Sequence, residues 1–135
     1  MAHPLEVGLM ETLGFVFVET TSDRVTLCWD VGPRLYQPEG ILHGGVHCTA
    51  IETAASVGAA MWLNDQVGHG RVVGVSNQTD FLRAVDDGTL TAVATPIHRG
   101  RSQQLWLVEI TDERERLVAR GQVRLQNLTA LQEPQ

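Results

Sequence analysis

The sequence predicts an α+β domain in which one antiparallel sheet of about five to six strands wraps around a single long central helix. Three observations carry that expectation. Several segments alternate apolar and polar residues with period two, only one segment has the length and alanine content of a substantial helix, and neighbouring strands are separated by short turn signals. Short connections favour antiparallel neighbours in one sheet.

Taken in order, residues 5–12 suggest a short helical turn. Two N-terminal strands follow, the clearer being "RVTLCWDV" (24–31), where Val25, Leu27, Trp29 and Val31 alternate with Arg24, Thr26, Cys28 and Asp30. The helix is placed at 44–63. Strand-like stretches rich in Val, Thr, Leu and Ile occupy 71–82, 89–98 and 102–111, bounded by "DDG" and "RGR" turns. "LVARGQVRL" (117–125) alternates again, with Arg120, Gln122 and Arg124 on the wet side. The whole chain, 1–135, is read as one domain with its core at about 8–126 and a loose tail in "LQEPQ".

Composition excludes several functions. With 43% hydrophobic residues the chain can bury a sizeable core, while a formal net charge of -6 argues against nucleic-acid and anionic-membrane surfaces, which need clustered Lys and Arg. No uncharged run approaches the ~20 residues of a membrane span, and the N-terminus lacks a basic stretch followed by an apolar one. A cytoplasmic location is expected. Cys28 and Cys48 lack CxxC spacing and read as reduced core thiols.

The informative segment is "PEGILHGGVHCTAIETAAS" (38–56). From His43 to Asn64 the one formally charged side chain is Glu52, so the helix is expected to be covered on nearly all sides and its carboxylate to be expensive unless used. The alternative is a helix-edge glutamate that reaches solvent, but no basic residue stands three or four positions away to accept it. At 100° per residue Cys48, Glu52 and Ser56 share a stripe roughly opposite His43 and His47, so this helix does not converge these groups on a metal. Gly44 and Gly45 at the helix start leave backbone N–H groups accessible where the helix dipole favours a developing oxyanion, although glycines also simply permit tight turns. Glu52 lies about 12 Å along the helix from Gly44, at ~1.5 Å per residue, too far for both to act on one carbonyl. Cooperation would require a second copy packed with its helix antiparallel.

The pattern Gln37-x5-His43-Gly44-Gly45-x6-Glu52-x3-Ser56, followed by "DFLRA" (80–84) and "HRGRS" (98–102), resembles the hotdog-fold acyl-CoA thioesterases of the phenylacetate-degradation (PaaI) type, and within them the glutamate subgroup of 4-hydroxybenzoyl-CoA thioesterases. The similarity covers roughly residues 8–126. Ser56 stands where that subgroup carries threonine. The resemblance implies that the Gly44 N–H polarises a thioester carbonyl, that Gln37 orients the acyl group or water, and that Glu52 of the facing subunit is nucleophile or general base. It further implies that Ser56 holds Glu52 or the water; the alternative, from position alone, is a small helix residue bonding back to the carbonyl at position 52. His43 either shapes the turn or touches the ligand. Gly45, Arg83, Arg99, Gly100, Arg101 and Ser102 would contact substrate, the arginines meeting coenzyme A phosphates. No cofactor or metal is implied, and a homodimer with shared sites, associating into a tetramer, is. Leu105 and Leu107, on the strand face opposite Trp106, agree with such association. Tyr36, by its closeness to Gln37, and Trp62, by lying on the helix, are candidates to line the acyl pocket. Two other readings of the same residues are a hydratase or dehydratase, whose motifs are spaced differently, and a non-catalytic acyl-CoA-binding module.

Overall fold

The computed structural model describes residues 3–128; the "LQEPQ" tail lies outside them. A short helix α1 (Leu9–Leu13) leads into strands β1 (Val16–Thr20) and β2 (Val25–Asp30). A 3-10 turn (Pro33–Leu35) precedes helix α2 (Gly44–Val67). Four strands follow: β3 (Arg71–Phe81), β4 (Thr89–Arg99), β5 (Gln103–Thr111) and β6 (Leu117–Leu128). The six strands form one sheet in the order β1-β2-β4-β5-β6-β3, with antiparallel neighbours throughout. The expected architecture is therefore present, with α2 packed against the inner face. No helix among the described residues is long and apolar enough to cross a membrane.

The sheet follows the expected alternation. In β2, Val25, Leu27 and Trp29 are buried between more exposed neighbours, and in β6 Arg120, Gln122 and Arg124 face out. On β5, Trp106, Val108 and Ile110 point inward while Leu105 and Leu107 are half-buried on the other face. Pro96 interrupts β4 next to an irregularity, beyond the last residue that pairs with β2, where a missing N–H disturbs only one neighbour.

Helix α2 meets this sheet with its smallest residues. Ala50, Ala54, Ala55, Gly58 and Ala59 are buried against a surface that supplies Trp29 and Trp106, so large sheet residues fill the volume that small helix residues leave. A methyl group on Gly58 would lie 2.6 Å from Trp106 Cζ3. The Trp106 Nε1–H donates to Gln104 Oε1 at 2.8 Å, and Gln104 Nε2 donates to the Ala59 carbonyl and to Asn127 Oδ1. This buried network, which joins α2 to β5 and β6, is nearly sealed from water: Gln104 and Asn127 are 1% and 0% exposed.

Helix α2 runs four residues past the expected end because polar Asn64–Gln66 continue it. Gly68, at φ 82°, then closes it by donating its N–H to the Asn64 carbonyl at 2.7 Å. The expectation that α2 is covered on nearly all sides fails in the single chain. Glu52 is exposed, and Thr49, Thr53 and Ser56 beside it are only half-buried. Apolar composition reports that a helix is meant to be covered; it does not report by what. The thiols of Cys28 and Cys48 are free and half-buried, and burial pushes Cys28 above the usual thiol range, helped by Asp30 and Glu6.

Candidate active site

The first turn of α2 is built around His43. As N-cap residue in extended conformation, His43 accepts the Gly45 N–H on Nδ1 at 2.7 Å, while its carbonyl accepts the Val46 N–H at 3.0 Å. The Gly44 N–H has no partner among the described residues. One amide at the positive end of a 24-residue helix is thus left to meet an incoming oxygen.

Both glycines are there for contact, not for unusual torsion. A methyl group on Gly45 would sit 2.8 Å from His43 Nδ1 and block the cap, and one on Gly44 would sit 2.8 Å from Cζ of Phe81. Phe81, at the end of β3, lays its ring against the helix start. Tertiary packing against Phe81 accounts for Gly44, and the local His43 cap accounts for Gly45.

Gly44 borders a cavity of about 330 Å³. Gln37, Gly44, His47, Phe81 and Arg83 line it together with Ile41, Leu42, Leu82, Ala84 and Val85. Gln37 is fixed in a tight turn: its N–H donates to the Ile41 carbonyl, its carbonyl accepts from Gly40, and its side-chain oxygen accepts the Glu39 N–H. That bond takes one lone pair of the oxygen, so Gln37 still offers its amide NH2 donor and a second lone pair. Arg83 is exposed at this cavity.

Glu52 lies elsewhere. It borders a second cleft of about 240 Å³ with Leu9, Met10, Cys48, Thr49, Thr53 and Asn77. Its carboxylate rests near Gly74 of β3, where the β3–β6 register shifts. Asn77 is held in place by donating to the Cys48 carbonyl and accepting from Thr79 Oγ1. Gly44 and Glu52 therefore open into separate clefts of one chain, as their spacing along α2 requires. Ser56 is half-buried one turn beyond Glu52.

The arginine hairpin is engaged within the chain. Arg99 donates to the Ser22 carbonyl and to Asp23 Oδ1 at 2.8 Å, with its guanidinium 5.5 Å from the centre of the Trp62 ring. The Gly100 and Arg101 carbonyls accept from Asn127 Nδ2, and the Ser102 carbonyl accepts the Asn127 N–H. The buried Gln104–Asn127 network thus shapes this turn. Neither Tyr36 nor Trp62 reaches the Gly44 cavity: Tyr36 donates its hydroxyl to the Asp86 carbonyl, and Trp62 packs under Arg99.

Three features of the site were not anticipated. Phe81 and His47 line the Gly44 cavity, and Asn77 lines the Glu52 cleft. His47 is 4% exposed, with its ring 6.2 Å from that of Trp29 and 5.9 Å from that of Phe81. Burial pushes its pKa down to about 4. One signal was present in the sequence: at position 47 a histidine interrupts the helix stripe that otherwise carries Ala50, Ile51, Ala54 and Ala55.

The Thioesterase superfamily is matched over residues 39–119. The Mycobacterium tuberculosis protein Rv1847 is 53% identical over 118 residues, 87% of this chain and 84% of that one, and its solved structure aligns with TM-score 0.88 over 95% of this chain and 100% of that one. A 1,4-dihydroxy-2-naphthoyl-CoA hydrolase of Listeria monocytogenes is 37% identical over 113 residues, 83% of this chain and 89% of that one. The Staphylococcus aureus protein SAV0944 aligns with TM-score 0.83 at 27% identity over 90% of this chain and 98% of that one. It has been solved in variants that replace a glutamate and a glutamine fifteen positions apart, the separation of Glu52 and Gln37 here. The chain belongs to the thioesterase superfamily and is a thioester hydrolase.

Proposed function

We propose that this member of the thioesterase superfamily hydrolyses an acyl-CoA carrying an aromatic or medium-chain acyl group, at a site completed by a second copy of the chain. The observation that carries the reading is the division of the motif between two clefts. Gly44, whose N–H is unpaired among the described residues, borders a cavity large enough for an acyl group, and the exposed Glu52 stands apart from it on the uncovered stripe of α2. Antiparallel packing of two α2 stripes would bring Glu52 of one copy to the Gly44 cavity of the other.

In that arrangement the thioester carbonyl accepts the Gly44 N–H, where the helix dipole favours the charge that develops on its oxygen. Gln37, with its NH2 free, holds the carbonyl or the attacking water. Glu52 attacks the carbonyl carbon or removes a proton from water, and the coenzyme A thiolate leaves. Arg83, exposed at the edge of this cavity, would meet substrate there, with Arg101 and Ser102 contributing from the β4–β5 turn. Arg99, already paired with Asp23 and Trp62, helps chiefly by holding that turn. Support for the pair Gln37 and Glu52 comes from the glutamine and glutamate chosen for substitution in the S. aureus relative, and support for an aromatic acyl group from the Listeria hydrolase. Association of two dimers into a tetramer is part of the same proposal, with Leu105 and Leu107 on the outer sheet face.

Free-thiol release from a panel of acyl- and aroyl-CoA thioesters tests the chemistry: Glu52→Gln is expected to lower kcat by on the order of 10² or more. Subunit mixing tests the geometry. Glu52→Gln and Gln37→Ala proteins, each impaired alone, should regain activity when refolded together, because a mixed dimer contains one intact site. Mixtures no more active than the separate variants would show that both residues act within one chain.

A further inference from the structure

The cavity at the start of α2 contains one buried polar side chain whose presence the hydrolytic mechanism does not explain. His47 is 4% exposed, and neither ring nitrogen has a hydrogen-bond partner among the described residues. Nδ1 is sealed from solvent without a partner, so a ligand in the cavity that His47 lines would be met through Nε2. The adjoining rings of Trp29 and Phe81 hold the imidazole in place, and Trp29 Nε1 is itself buried without a partner. A leucine would fill comparable space without leaving polar atoms unpaired. Gln37 and Arg83, the other polar residues of the cavity, differ from it: Gln37 has its side-chain oxygen bonded in its own turn, and Arg83 is exposed. The ring is neutral, since burial holds its pKa near 4, so it offers one N–H and one lone pair and not a charge.

We propose that His47 is a specificity-determining residue of the acyl cavity, which hydrogen-bonds a hydroxyl or similar polar substituent on the acyl group and so selects substituted acyl thioesters over their hydrocarbon counterparts. The inference rests on the reading that this cavity takes the acyl group. A site built to pair with a substrate hydroxyl discriminates strongly against the analogue that lacks it, because its own buried group is then left unpaired. His47 touches no bond that breaks, so its substitution should change which thioester is preferred and should not imitate the loss of Glu52.

The experiment compares kcat/KM for benzoyl-CoA with that for its 2-, 3- and 4-hydroxy derivatives in the wild type, His47→Leu and His47→Gln. The expected result is a wild-type preference of about tenfold or more for one hydroxylated isomer, the worth of one good hydrogen bond. That preference should fall to about one in His47→Leu and be partly retained in His47→Gln. A wild type with no preference, or a His47→Leu protein that keeps it, overturns the proposal while leaving hydrolysis intact. Should His47→Leu fail to fold, side-chain nitrogen NMR of wild-type His47 decides: the free hydroxylated acid should shift the ring resonances and benzoate should not, and equal effects overturn the proposal. If no thioester is hydrolysed but the hydroxylated acid alone shifts His47, the hydrolytic reading fails and this one stands.

Discussion

Replacing Gly58 by alanine tests how α2 is seated on the sheet. In an exposed helix the change would stabilise by up to about 1 kcal/mol, because glycine is a poor helix former. Here the new methyl group would lie 2.6, 2.7 and 3.3 Å from Cζ3, Cη2 and Cε3 of Trp106, against the 3.5–4.0 Å at which carbon atoms rest. Relief requires a shift of roughly 1 Å at that normal separation. Trp106 is fully buried and tied through Nε1 to Gln104, which is in turn bonded to Ala59 and Asn127, so moving its ring disturbs the whole network. Overpacking of this kind costs about 3 kcal/mol at the upper end of its usual range, and the helix gain returns about 1, for a net loss of about 2 kcal/mol. For a domain of this size that corresponds to a fall in Tm of about 8 °C. Urea and thermal unfolding at one protein concentration measure it, the concentration being fixed because association would otherwise shift the result. A double-mutant cycle with Trp106→Leu should recover most of the loss. A Gly58→Ala protein as stable as its parent would refute the argument that the tryptophan requires this glycine.

Three further outcomes follow from individual contacts. His47 has a folded pKa of about 4 against 6.5 in the unfolded chain, so between those values the unfolded state binds more protons. Its share of stability is complete above pH 6.5 and is lost by about 3 kcal/mol as pH falls to 4; urea titrations should show that slope in the wild type and lose it in His47→Gln. Gln104→Leu should cost about 3 kcal/mol, because it leaves the buried Trp106 N–H and Asn127 Oδ1 without their partners, and hydrogen exchange should report faster opening at residues 100–102. Arg99→Ala removes a partly exposed ion pair with Asp23 and a cation–π contact, so chemical denaturation should register a loss of no more than about 1 kcal/mol.

Period-two alternation made β2, β5 and β6 legible because each has one face on the core and one in water. The helix was legible from its alanine content, yet its last turn was not, since Asn64, Asp65 and Gln66 break the apolar run; the glycine stop at Gly68 was the better marker. Gln104 and Asn127 share strand parity with Trp106 and with Leu125, and that parity was the available sign that both amides are buried. Phe81 could not be placed at the helix start from sequence, because β3 brings it there from 37 positions beyond Gly44. Of the motif residues, Gln37 and Gly44 line one cavity, whereas His43 and Gly45 do not border it. What the pattern could not convey was that Glu52 is exposed in one chain, a fact that depends on what covers α2.

That exposure separates two duties of α2 in a way that stability measurements can detect. The stripe Val46, Ala50, Ile51, Ala54, Ala55 and Ala59 is buried against the sheet and supports the fold, whereas Glu52 stands on the other side with no ion-pair partner among the described residues. Removing its charge therefore breaks no internal pair and opens no cavity. Glu52→Gln is isosteric, and its effect on unfolding within one chain should stay within about 0.5 kcal/mol, the range of ordinary surface substitutions. If two copies bury this stripe against each other, an isolated carboxylate between them would cost energy that the amide does not. The variant would then unfold at a higher temperature than its parent, and the difference would grow under conditions that hold the dimer together. Unfolding of both proteins across a range of concentrations distinguishes the cases. A gain in Tm accompanied by loss of thioester hydrolysis places Glu52 at an interface where function is kept at the expense of stability. A destabilisation of 2 kcal/mol or more at every concentration would contradict the exposed position and require that Glu52 be paired within its own chain.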